Sequence, residues 1–175
     1  MKYLLTIILC LNYYLSIGQV EYNDSTLISN VLSQGNKMAN ELLAKNYEVF
    51  AKYTYKPIID MTGSEEKLIE LIKKGIEDME AEGFFFTKCS IEKPNNIIHL
   101  KEELQCTVLE TIEMKTPKGR MVTKSTLIGI SIDNGQNWTF IDTQSKDLKK
   151  LQEILPNLSD ELIIPKKERP IVYND

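Results

Sequence analysis

The sequence predicts an α+β fold, in which N-terminal helices pack on a curved antiparallel sheet and a short C-terminal helix and an extended tail follow. Three observations carry this. Residues 104–142 read as three antiparallel strands joined by two turns, LQCTVLETIEMK, TPKG, RMVTKSTLIGISI, DNGQN and WTFID. Residues 65–82 carry apolar side chains at helical spacing. Beyond Asp142 the alternation ends, and Pro156, Pro165 and Pro170 interrupt the chain.

A chain of 175 residues is long enough for one domain with a sizeable core. Its formal net charge is -4, with Lys and Glu interspersed, which makes no electrostatic case for nucleic acid. Lys2, an apolar run over residues 4–11 and the small residues Ser16 and Gly18 before Gln19 have the make-up of a signal peptide, residues 1–18, cut after Gly18. The run is too short to span a membrane, so no transmembrane helix is expected after cleavage and the mature protein is expected outside the cytoplasm, periplasmic or extracellular. Cys10 follows Ile8 and Leu9 where a lipobox needs a small residue, so it leaves with the signal.

Residues 19–35 form an N-terminal lead, with a turn or two of helix at Leu27, Ile28, Val31 and Leu32. A better helix spans residues 36–46, its stripe built on Met38 and Leu42 and widened by Ala39 and Leu43. Asn46 tolerates the left-handed conformation and marks the break, after which a second short helix covers residues 47–53. Tyr55-Lys56-Pro57 ends helical structure, and residues 58–61 run as a connector to Thr62-Gly63. The helix over residues 65–82 starts at a capping box on Thr62, or on its rival Ser64, and stops at Gly83. Leu68, Ile72, Ile76 and Met79 line its apolar face.

Residues 84–92 begin the sheet, Pro94-Asn95-Asn96 is a turn, and residues 97–100 form a short strand. In the first long strand Leu104, Cys106, Val108, Ile112 and Met114 share a face, while Leu109 and Glu110 break the alternation. If Gly119 forms a bulge after Pro117-Lys118, Thr116 pairs with Arg120, and Val108, Cys106 and Leu104 face Ile128, Ile130 and Ile132. Leu127 and Ile141 then fall on the opposite face. Residues 146–155 form the C-terminal helix, Leu158, Leu162, Ile163 and Ile164 are the residues expected to dock the tail to the body, and residues 166–175 are a loose end.

Residues 131–138, SIDNGQNW, resemble the Asp-box of sialidases. Its physics is local: Asp133 caps its own turn, Gly135 takes the strained backbone angle and Trp138 closes over the hairpin. In sialidases the motif repeats around a propeller, away from the catalytic site. One copy in a chain this short is a structural turn.

Cys89 and Cys106 are the candidate disulfide, with two buried free thiols as the alternative. Together with the lone His99 they match no zinc spacing, so no metal is assigned. No cofactor is implied, since the sequence has no phosphate loop or dinucleotide glycine loop. The candidate pocket residues are Tyr47, Tyr53, Tyr55 and Asp60. A Tyr and an Asp beside an apolar cavity suit proton transfer next to a carbonyl. Aromatic residues at helical spacing are more often core, so no catalytic residue is assigned.

The order helix, short helix, Y-x-P connector, long helix and antiparallel hairpins resembles the nuclear transport factor 2-like, or cystatin-like α+β cone, superfamily, most of all its secreted bacterial members. The resemblance rests on residues 42–47, Tyr55-Lys56-Pro57, Thr62-Gly63 and residues 138–142. It assigns residues 36–145 to the cone domain and residues 146–175 to a C-terminal helix and tail. It implies a conical pocket that binds a small apolar ligand or a protein partner without catalysis. The alternative it implies is a lyase or isomerase of the steroid-isomerase and dehydratase type. It also implies a possible homodimer through the sheet, with Leu109, Leu127 and Ile141 on the joining face.

Overall fold

A computed structural model describes residues 24–144 and 146–174. The signal-peptide reading of residues 1–18 and the first part of the lead lie outside the described residues. The elements run α1 (Asp24–Leu43), α2 (Tyr47–Ala51), α3 (Lys56–Thr62), α4 (Glu65–Ala81), β1 (Phe85–Ile91), β2 (Ile98–His99), β3 (Leu104–Thr116), β4 (Gly119–Ser131), β5 (Thr139–Asp142), α5 (Leu148–Gln152) and β6 (Ile171–Tyr173). The fold is α+β. The sheet is open, in the order β1-β3-β4-β5, with β2 added to β3 and β6 to β4, and each pairing is antiparallel. Among the described residues no helix is long and apolar enough to cross a membrane.

The lead and the first expected helix are one element. Leu27, Val31, Met38 and Ala39 are buried along α1 at helical spacing, which continues through Gly35. Asn36 stays in register because its side chain donates to the Leu32 carbonyl at 2.8 Å. The left-handed residue after α1 is Lys45 (φ 57), not Asn46, which caps the start of α2. The Lys45 ammonium lies 2.6 Å from the Glu80 carboxylate.

Residues 58–61 are not a connector. Pro57 sits in the first turn of α3, where a missing N–H costs no intrahelical bond. Helix α4 starts at Ser64, whose hydroxyl accepts from the Lys67 N–H at 3.2 Å. Thr62, the rival cap, instead donates its hydroxyl to the Ile59 carbonyl at 2.7 Å. Glu65 and Glu66 in the first turn complement the helix dipole.

The β3–β4 hairpin is one residue off the expected register. Thr116 pairs with Gly119 around a two-residue turn, so Val108 faces Leu127, Cys106 faces Gly129 and Leu104 faces Ser131. In a strand such a slip moves each side chain to the other face. Gly129 explains the outcome. A Cβ there would lie 3.0 Å from the Cys106 sulfur and 3.4 Å from the Phe140 and Trp138 rings. The space opposite Cys106 is filled by aromatic rings, so the glycine takes the position expected of Ile130. Ile132, expected in the core, is 75% exposed.

Each face of the sheet buries a cluster. On the first, Leu27, Val31 and Met38 of α1 meet Cys106, Val108, Leu127, Trp138 and Phe140. On the second, Ile128, Ile130 and Ile141 meet Leu151, Leu155, Leu158 and Leu162. Gln105, fully buried, ties the C-terminal segment down. Its side-chain amide donates to the Asn157 carbonyl at 3.0 Å, and its oxygen accepts from the Ser159 N–H at 2.8 Å. The tail is therefore part of the fold. Ile171–Tyr173 pairs with Arg120, Met121 and Val122, and the Arg120 guanidinium stacks 4.1 Å from the Tyr173 ring centre.

Candidate functional site

A cavity of about 430 Å³, a size typical of small-molecule sites, is lined by the helices, by the sheet near β5 and by the C-terminal segment, and so draws on residues of both clusters. Helix α1 supplies Met38 and Leu42, α2 supplies Phe50, and α4 supplies Leu68 and Ile72. The sheet supplies Ile112, Leu127 and Phe140, and the C-terminal segment supplies Leu151, Ile154 and Leu155. The stretch between α2 and α3 is held against β5 by its backbone. The Phe140 N–H donates to the Tyr53 carbonyl at 2.6 Å, and the Tyr55 N–H donates to the Phe140 carbonyl at 3.1 Å. This places Tyr53 in the cavity wall.

The polar side chains of the lining are Thr54, Glu110, Asp142, Gln144 and Lys146. Glu110 is 8% exposed and occupies a position on β3 that lies between Val108 and Ile112 on the first face. Its carboxyl accepts from the Ser125 hydroxyl at 2.8 Å and from the Cys89 thiol at 3.4 Å. Burial pushes its pKa above the usual carboxyl range. The Ser125 and Cys89 hydrogen bonds pull the other way, and the Asp142 charge adds to the rise. Asp142 is exposed and accepts from the Gln144 N–H at 2.8 Å. Lys146 donates to the Gln144 side-chain oxygen at 2.6 Å.

Of the four pocket residues expected from sequence, only Tyr53 lines this cavity. Tyr47 is buried elsewhere, and that burial raises its pKa against the opposing pull of Lys45. Tyr55 belongs to the second-face cluster, and its hydroxyl accepts from Asn157 at 3.0 Å. Burial also raises its pKa, with the Asn157 bond acting against it. Asp60 points to solvent, with its side chain 60% exposed and paired to Lys56 on the same helix. Asp60 lies on the outer face of α3, outside this cavity.

Glu110 is the residue that sequence reasoning missed, yet its signal was present. An acid that breaks an apolar alternation in a central strand either marks a wrong register or sits in the core for a purpose. Its cross-strand neighbour Ser125 is the matching polar residue on β4.

The two thiols do not form a disulfide. Cys89 pairs with Ile112 and Cys106 with Gly129, which sets them six residues apart along β3, about 20 Å at strand rise. Both are free and buried. Burial raises both pKa values, that of Cys106 to about 12, so neither is a ready nucleophile. His99 is exposed on β2, with its Nε2 3.3 Å from Asp24.

The Asp-box turn is a closed structural unit. Asp133 accepts from the Ser131 hydroxyl at 2.8 Å, the Asn137 N–H at 2.9 Å and the Asn137 side-chain amide at 2.7 Å. Burial alone would raise the Asp133 pKa, but these hydrogen bonds outweigh it and hold the carboxyl below its usual range. The Trp138 indole N–H donates to the Gly135 carbonyl at 3.2 Å, and the ring is 1% exposed, so it offers no face to a sugar. Two α1 side chains clamp the turn: Asn30 donates to the Gly135 carbonyl and Gln34 accepts from the Trp138 N–H, each at 2.9 Å.

The residues expected on a joining face are separated. Leu127 lies on the helix face, Ile141 is buried beneath the C-terminal segment, and Leu109 is half-buried. No protein-family model matches the sequence, and no curated protein matches it.

Proposed function

We propose that the protein binds a small apolar molecule in the cavity between its helices and its sheet, without catalysis. The observation that carries this is the cavity itself, about 430 Å³ with walls mostly of aliphatic and aromatic side chains. Helices set on one face of an antiparallel sheet, with a cavity between the layers, support the reading of the chain as a nuclear transport factor 2-like cone. Titration with the neutral dye Nile red tests it. Saturable one-to-one fluorescence enhancement is expected, and Ile112→Trp, which fills the cavity, abolishes it while circular dichroism stays unchanged. Enhancement that survives Ile112→Trp would sink the proposal.

One observation favours a lyase or isomerase as a second reading. Glu110 is a buried acid with a raised pKa, in the same cavity as Tyr53. This reading predicts that solvent deuterium enters a bound ketone next to its carbonyl, and that Glu110→Gln stops it. No exchange above the rate in buffer refutes it.

Two further proposals concern place and assembly. Export with removal of residues 1–18 rests on Lys2, the apolar run and Gly18, and predicts a mature mass beginning at Gln19. A homodimer through the sheet would use what the C-terminal segment leaves open near Leu109. A monomer mass in sedimentation at micromolar concentration would overturn it.

A further inference from the structure

The charged groups of the cavity are unevenly matched. Two carboxyls, Glu110 and Asp142, line it together with one ammonium, Lys146. Lys146 is engaged by Gln144, and neither carboxyl makes an ion pair among the described residues. Glu110 has one neutral donor on each oxygen, which leaves each with further acceptor capacity. One of those donors is a thiol, which is a weak one. The helices facing this side contribute only apolar side chains such as Met38, Leu42, Leu68 and Ile72. A buried carboxyl without a cation carries a desolvation cost that a cation at hydrogen-bond range would offset.

We propose that the cavity takes a cationic amphiphile, an ammonium group on an apolar body, with the ammonium on the Glu110 and Asp142 side. This rests on the binding reading above and specifies its ligand class. The apolar body replaces solvent along the helix walls. The ammonium has donors for both carboxyls, an alcohol has one, and a carboxylate has none and meets the carboxylate of Asp142. A protonated amine is therefore selected over neutral and anionic molecules of equal length.

Displacement of Nile red by decylamine, decanol and decanoate, each below its aggregation threshold at neutral pH and low salt, tests the inference. Decylamine is expected to bind about tenfold more tightly than decanol, the scale of one charge-assisted hydrogen bond, and decanoate more weakly than either. Glu110→Gln should bring decylamine within about twofold of decanol. Asp142→Asn alters an exposed side chain, so it tests the point without risk to the core, and it should weaken decylamine alone. Equal displacement by all three, or an amine preference that survives both substitutions, overturns the cationic class and leaves the apolar site standing. If Nile red itself does not bind, the binding reading fails and this inference falls with it.

Discussion

Asp133 ties Ser131 and Asn137 together across the β4–β5 turn with one carboxylate, and its loss should be felt globally. Asp133→Ala leaves the Asn137 N–H without its acceptor and should cost about 1–3 kcal/mol in urea unfolding. Gly135 is equally constrained. Its φ is +83, and a Cβ would stand 2.1 Å from a Leu27 methyl, so Gly135→Ala should destabilise by about 2 kcal/mol or more on the same measure. The two perturbed acids should show opposite pH signatures. The folded pKa of Asp133 is lowered, so its contribution is full above the unfolded value, about 3.9, and is lost as pH falls through the folded value. The folded pKa of Glu110 is raised, so its contribution is full below about 4.3 and is lost as pH rises through its folded value. Urea midpoints against pH should therefore lose the acid-side slope in Asp133→Asn and the rising-pH decline in Glu110→Gln. A Glu110→Gln profile parallel to that of the wild type would contradict the burial of this acid. The roles of Asp133, Gly135 and Trp138 were legible in the sequence because their interactions are local. Glu110 left only a break in the alternation, and its role was hidden because its partners Cys89 and Ser125 come from neighbouring strands.

At the scale of elements, the C-terminal segment decides whether the sheet has one buried face or two. Leu151, Leu155, Leu158 and Leu162 are each buried on Ile128, Ile130 and Ile141, worth about 1.5–3 kcal/mol apiece before ordering costs. Removing residues 146–175 should expose that face, and the shortened protein should bind a hydrophobic dye and lose cooperative thermal unfolding. Removing only residues 170–175 takes away β6, whose side chains are exposed, and should leave cooperativity intact. Helix α4 and the β3–β4 hairpin were legible because their apolar periodicity is long. The hairpin register was not, since residues 127–130 are buried on both faces and alternation cannot choose between them. Helix α3 was missed because Pro57 signals an end and a beginning with equal force. The docking of the tail was legible from Leu158, Leu162 and Ile164, while its route was not, because those leucines are spaced for a path across a sheet, not for a helix.

For the molecule as a whole, occupancy of the cavity should raise stability by mass action. A ligand at about one hundred times its Kd should add about 2.7 kcal/mol, read as a rise in Tm that Ile112→Trp abolishes. No shift at saturation would mean that the folded state gains nothing from a filled cavity. The α+β class was legible because it follows from the order of helix and strand patterns along the chain. The cavity was not, because it is bounded by α1, α2, α4, the sheet and the C-terminal segment at once. Such a volume has no local signature, and Tyr53 alone among the expected residues reached it.

The covering of the second sheet face by residues 151–162 also has a consequence in time. Chains leave the ribosome N-terminus first, at about 5–20 residues per second. The strands that carry Ile128, Ile130 and Ile141 therefore emerge before the leucines that shield them. A chain that has emerged only as far as residue 145 presents a bare isoleucine surface, and this interval is when a chaperone would find the chain stickiest.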